Sequence, residues 1–271
     1  MRQALILLFD AEWLNRSLYN GLYKRTQSLF ERSELSSFGT PASDAEISLL
    51  ARFAGAVRPD ILDGTARLPV GDGTGNNRAN LEAAFKLLTA AGYTLRGRQL
   101  INAKGEPLTI DFLAQSRAQE RLMLSFSRIL ERVGIAVKIR QVDSAQYWSR
   151  LKTFDFDMIQ WTWGATLSPG NEQTNRWSSR AAEIDGSLNY AGVRNPAADA
   201  MIDALLAARG REDFIAAVRA FDRVVRSGDY VIPLFHLPKT WLAHWRHIKG
   251  PGTLPNNGFD VDLWWSDGAR P

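Results

Sequence analysis

The alternation between residues 107 and 163 constrains this chain more than any other feature. Residues 107–113 are short and β-prone, and 117–133 carry apolar residues at three- and four-residue spacings before Gly134. Residues 135–142 are β-prone again, 144–152 read as a helix, and 156–163 return to a strand. A crossover through a helix brings the chain back in the same direction. The βαβαβ order therefore predicts an α/β fold with parallel strands and helices packed on the sheet.

The flanking segments read as follows. Leu5, Leu8, Phe9, Leu14 and Leu18 predict one amphipathic helix over 2–19, ended by Asn20-Gly21. Residues 31–78 are punctuated by Pro41, Pro59, Pro69 and by Gly71, Gly73 and Gly75, so an irregular excursion with a short helix after Ser43 is expected. Leu81, Ala84, Phe85 and Leu88 mark a helix over 77–91 that stops at Gly92. Asn195-Pro196 opens a helix burying Met201, Ile202, Leu205 and Leu206. A second one over 211–226, with Phe214, Val218, Phe221 and Val225, completes a helical hairpin. Residues 230–237 are β-prone. Residues 238–271 hold four of the nine tryptophans without helical periodicity, and are expected to dock on other structure.

Composition removes several function classes. In 271 residues, 33 Lys and Arg face 29 Asp and Glu, a net charge of +4, with the signs interleaved; no nucleic-acid partner is expected. The longest apolar run near the start covers residues 4–9, too short to span a bilayer or to serve as an export signal. The absence of cysteine excludes zinc ribbons, thiol catalysis and disulfides, and leaves the compartment open.

Candidate chemistry is sparse. Gly71, Gly73 and Gly75 lack the further glycine of a dinucleotide loop, because Asn76 stands there, and they read as a turn. His236, His244 and His247 lie close in sequence but are separated by Pro238 and have no cysteine to complete a metal set; no metal and no cofactor are expected. Asp155 and Asp157 share a strand face and read as the wet side of an edge, with a hydrolase of peptides or glycans working through Asp155, Asp157 or Glu172 as the alternative. The segment 154–173, FDFDMIQWTWGATLSPGNEQ, is different. Trp161 and Trp163 end a strand and run into Gly164, Ala165, Thr166, Ser168, Pro169, Gly170 and Asn171, so stacking surfaces stand beside exposed backbone and hydroxyls where open α/β sheets hold ligands.

Four segments carry a resemblance: RQALILLFDAEWLNRSLYNGLYKRTQSLF (2–30), NNRANLEAAFKLLTAAGY (76–93), the 154–173 segment and NPAADAMIDALL (195–206). In this order they resemble the oligopeptide-binding proteins of ABC importers, family 5 of the extracellular solute-binding proteins, most closely its YejA-like subgroup. The resemblance covers essentially the whole chain and matches the C-terminal half of family members. It implies the C-terminal lobe of a periplasmic-binding-protein-like fold (type II, peptide-binding class), with residues 1–237 as the second lobe and 238–271 as a returning tail that belongs to the first. The implied function is capture of oligopeptides or modified peptides for ABC permease subunits, without catalysis, in the periplasm, although this chain shows no signal peptide and would stay cytoplasmic if made alone. A truncated remnant without independent function is a further alternative. The implied ligand-binding residues are Trp161, Trp163, Gly164, Thr166, Ser168 and Asn171, with Tyr23 and Arg25 as neighbours. In many relatives an aspartate that binds the peptide's amino terminus matches Thr166, whose hydroxyl cannot supply that charge.

Overall fold

Capping residues decide where the elements of this chain begin and end, and a computed structural model describes residues 1–253 and 258–268. The predicted first helix is two, α1 (Arg2–Leu8) and α2 (Ala11–Tyr19). Asp10 leaves the helical region and its carboxylate accepts the Trp13 amide, which starts a new helix. The apolar stripe continues across the break, so periodicity alone could not reveal it. Asn20, left-handed at φ 53°, ends α2 as expected.

The chain continues through β1 (Lys24–Arg25), α3 (Asp44–Leu50), α4 (Pro59–Leu62) and α5 (Arg78–Ala90). Ser43 and Glu46 form a reciprocal capping box on α3, and Asn77 caps α5. A hairpin that periodicity missed follows, β2 (Thr94–Arg96) with β3 (Gln99–Ile101), turning at Gly97. Next come β4 (Thr109–Ala114), α6 (Arg117–Arg132), β5 (Ala136–Gln141), α7 (Ser144–Lys152) and β6 (Met158–Ile159). The three strands are parallel in the order β5-β4-β6, as the βαβαβ pattern required. The expected strand over 156–163 pairs only at Met158 and Ile159. Past Ile159 the chain peels off the sheet.

After α8 (Glu172–Trp177) come the hairpin α9 (Pro196–Ala207) and α10 (Arg211–Ser227), then β7 (Phe235–His236), β8 (Ile248–Lys249) and β9 (Trp265–Ser266). Leu206, expected in the buried stripe of α9, is 45% exposed because it lies on the far side of the helix from Met201 and Leu205. β7 pairs antiparallel with β1, Arg25 opposite Phe235.

The two faces of β4 serve different cores. Ile110, Phe112 and Ala114 meet Leu122, Phe126 and Leu130 of α6 together with α1, α2 and α5. Leu113 faces the other way, onto Tyr147 and Leu151 of α7. A further core gathers α9, α10 and Trp177 against Phe30, Leu35, Leu50, Val57 and Ile61 of the irregular excursion. That excursion is fastened by buried charge. Asp222 accepts the Ser28 and Ser37 hydroxyls and the Leu29 and Ser37 amides, while Arg223 donates to Glu46, Ile61 and Thr40. The tail folds on itself around Trp264, which His244 and Phe259 meet edge-on, leaving Trp241 and Trp245 at 76% and 70% exposure.

Candidate functional site

The candidate site is built where β6 ends. Because ladder pairing stops at Ile159, the chain from 160 onward runs along the rim of the sheet, beyond the carboxyl ends of the strands. Among the described residues, the backbone amides from Trp161 to Leu167 donate to no partner in the chain, and Gly164, Ala165, Thr166, Leu167 and Ser168 are all exposed. The rim is an open ledge with unpaired backbone amides, while the Gly164 carbonyl accepts from Arg176 Nη1 at 2.8 Å. A shallow groove of about 400 Å³ lies elsewhere, between α3 and the α9–α10 turn, among Leu49, Ala204, Ala208 and Ala216.

The two indoles at the start of the ledge are half-buried and belong to different surroundings. Trp161 stands edge-on to Tyr190 at 4.7 Å and to Trp148 at 5.8 Å, in the small cluster under α7. Trp163 packs on Trp177 at 4.7 Å, against the helical core, and its indole N–H donates to the Leu188 carbonyl at 3.2 Å. The ledge is therefore pinned at its root to both halves of the molecule. Trp148 and Tyr190 escaped the sequence reading. Trp148, 53% exposed, comes from the second turn of α7, and Tyr190 from a loop braced by the buried Asn189; nothing local in sequence links either to residue 161. Burial beside Tyr147 raises the Tyr190 hydroxyl pKa above the ordinary tyrosine value, so it stays a neutral donor.

At the far end of the ledge, Ser168 donates its amide to the Thr166 hydroxyl at 3.3 Å. Asn171 precedes α8 with its side chain exposed, within 3.4 Å of the Thr174 hydroxyl. The Glu172 carboxylate accepts the Gly170 amide.

Tyr23 and Arg25 sit around a different cluster. Tyr23 is tied to Asn15 through both backbone groups and stacks on Tyr19 and Phe235. Arg25 donates to the carbonyls of Pro69 and Pro233 and lies over the Phe9 ring at 5.5 Å. Burial lowers its pKa to about 10, against the opposing pull of Glu12 and Asp10, so it remains a cation at neutral pH. The partners of this pair lie around α2, around β7 and in the loop at Pro69, away from Trp161 and Trp163.

The remaining candidates have local partners. Asp155 pairs with Arg150 and Arg140, and Asp157 accepts the Asp111 amide at 2.8 Å. The amides of Gly71 and Gly75 donate to Glu12 and Asp10, so the glycine turn receives the chain's own carboxylates. His236 lies 3.2 Å from the Thr26 hydroxyl and His244 against Trp264. Among the described residues, no group of three or more His, Cys, Asp or Glu is placed to hold a metal ion, and no helix is long and apolar enough to cross a membrane.

Three comparisons bear on this geometry. The sequence pattern of the bacterial extracellular solute-binding proteins, family 5 middle region, matches residues 1–183. Two relatives come from Agrobacterium fabrum. The chain is 43% identical over 265 residues to the peptidoglycan-binding protein YepA, covering 98% of itself and 43% of that protein. To the probable peptide-binding protein YejA it is 40% identical over 271 residues, covering 99% of itself and 44% of that protein. Among solved structures, it is similar in fold to the oligopeptide-binding protein AppA of Bacillus subtilis, solved with a nonapeptide: TM-score 0.66, 16% identity, 98% of this chain and 47% of that one. The chain thus spans less than half the length of the relatives it matches.

Proposed function

The chain belongs to family 5 of the bacterial extracellular solute-binding proteins, and from that we propose that it supplies one lobe of a receptor that captures peptides or modified peptides for an ABC importer. The observation that carries this reading is the ledge: a run of backbone amides without partners from Trp161 to Leu167, exposed from Gly164 onward and flanked by aromatic rings, matches what an extended peptide offers along its own main chain. Main-chain hydrogen bonds read no side chain, and an open, wet rim tolerates different ones, so the expected recognition is broad. The names of YepA and AppA point the same way, toward ligands built on peptide.

In this proposal Trp161 and Trp163 pack on the ligand, Gly164 to Ser168 and Asn171 offer backbone, hydroxyl and amide partners, and Tyr23 and Arg25 are peripheral. Thr166 supplies no negative charge, so a free peptide amino terminus is not its partner. Residues 1–237 form the second lobe and 238–271 return to the first, which would cover Trp241 and Trp245. The receptor works in the periplasm, presents its ligand to permease subunits and makes or breaks no bond.

The test is tryptophan emission of the intact protein titrated with a pool of random-sequence pentapeptides. The expected result is a saturable shift that is reduced in Trp161→Phe and lost when Trp163→Phe is added; unchanged emission at saturating peptide overturns the proposal. Product formation from the same peptides would replace it with a hydrolase.

A further inference from the structure

The root of the ledge carries an aromatic surface that main-chain recognition does not use. Helix α7 follows β5, so it begins at the carboxyl ends of the strands, the same rim along which the ledge runs. Side chains of an α-helix lean toward its N-terminus, and Trp148, in the second turn of α7, therefore leans toward that rim. There its indole stands perpendicular to that of Trp161, at an interplanar angle of 89° with the ring centroids 5.8 Å apart. Two perpendicular rings in contact make a corner with apolar walls.

One wall is fixed and the other is open. Trp161 is half-buried and meets Tyr190 edge-on at 4.7 Å, while Phe154 and Phe156 approach Tyr190 in turn at 6.3 and 6.1 Å. Trp148 is 53% exposed, and its exposed neighbours on α7, Ser144, Gln146 and Ser149, are small or polar. The buried face of α7 is already supplied by Tyr147 and Leu151, which pack on Leu113 of the sheet. Trp148 thus adds nothing to that core and leaves uncovered apolar area beside the ledge.

An extended peptide sends alternate side chains to opposite sides. With its main chain on the unpaired amides that begin at Trp161, a side chain at that end stands over the corner and the next one points away. Covering the two indoles removes carbon surface from water, and an aromatic side chain gains further from edge-to-face contact. A charged side chain would lose water there without meeting an opposite charge, since Trp148, Trp161 and Tyr190 carry none.

We propose that Trp148 and Trp161 form a side-chain subsite at the root of the ledge, which takes one apolar or aromatic side chain of a ligand lying along it; this rests on the peptide-receptor reading. Recognition stays broad along the ledge and becomes selective at this one position, where Trp148 sets the preference.

The experiment titrates the intact protein calorimetrically with two sets of pentapeptides built from Gly, Ser, Asn and Thr, one of which carries a single Phe at the central position. Wild type is expected to bind the Phe set about tenfold more tightly. Trp148→Ala is expected to bring the two sets within about twofold of each other by weakening the Phe set, with the thermal midpoint close to wild type because the ring is exposed and alanine suits a helix. Trp148→Phe keeps an aromatic wall and should keep most of the preference. Equal binding of both sets by wild type overturns the subsite, and so does a preference that survives Trp148→Ala. Equal weakening of both sets in Trp148→Ala also overturns it, since Trp148 would then brace Trp161 or meet the first lobe without reading the side chain. Wild-type protein that binds neither set overturns the receptor reading, and the subsite with it.

Discussion

Around the parallel sheet, burial is written in apolar side chains: Ile110, Phe112 and Ala114 on one side, Leu122, Phe126 and Leu130 on the other. Under α10 the same task falls partly to charge, since Asp222, Arg223 and Glu46 are almost completely enclosed and fasten residues 28–61 to the helix. The difference follows from what each region has to order. A helix pairs its own backbone and a strand pairs with its neighbours in the sheet, so against these elements only side chains need matching. An irregular segment brings unpaired amides and carbonyls into the interior, and these need polar partners delivered from a rigid element. Asp222 and Arg223, adjacent on α10, deliver one acceptor group and one donor group.

The largest expected effect tests that division. Arg223→Ala strips the buried Glu46 carboxylate of its cationic partner and the Ile61 and Thr40 carbonyls of their donor, and is expected to cost about 3–5 kcal/mol. Denaturant unfolding of the intact protein measures it, and limited proteolysis should cut first within residues 28–61. Combining Arg223→Met with Glu46→Leu is expected to restore much of the loss, because no charge is left stranded. A double variant as unstable as the single one would break the comparison.

Phe126→Ala on the sheet side is expected to cost a similar or slightly smaller amount, about 3–4 kcal/mol, through a cavity rather than a stranded charge. Its proteolytic cuts should not favour residues 28–61. A pattern identical to that of Arg223→Ala would mean that the two halves unfold as one unit, and would dissolve the distinction.

The smallest effect belongs to the seam. Residues 230–235 pack into both cores, and β7 ends on His236. Burial lowers the His236 pKa below the ordinary imidazole value, against the opposing pull of Glu31. The unfolded chain then binds the proton more readily than the folded one, so stability is expected to fall as pH drops through about 6.5. His236→Gln should remove that slope, as measured by thermal midpoints across the range. An unchanged slope would assign it to other groups.

Much of the fold was legible because most of its elements advertise themselves locally. The βαβαβ order, α7 at its predicted bounds, the capped helices α3 and α5 and the helical hairpin all follow from periodicity and caps. The break at Asp10, the β2–β3 hairpin and the early end of β6 were not legible, because a cap inside a continuous stripe, two three-residue strands and a strand that leaves its ladder give no periodic signal. At the candidate site the tryptophans and the glycine-hydroxyl run could be read directly. Trp148, Tyr190 and Arg176 could not, since each reaches the ledge from another element.

What the sequence determined by itself is the order of elements, the parallel sheet, the family and the position of the segment 154–173, all of which depend on residues near one another in the chain. Only the tertiary structure decided that the two indoles anchor to different cores, that Arg176 of α8 holds the Gly164 carbonyl and that α10 carries buried charge. Those are contacts between residues 12 to about 190 positions apart. Side-chain pairing at that range depends on how packed elements face one another, which a one-dimensional pattern does not encode.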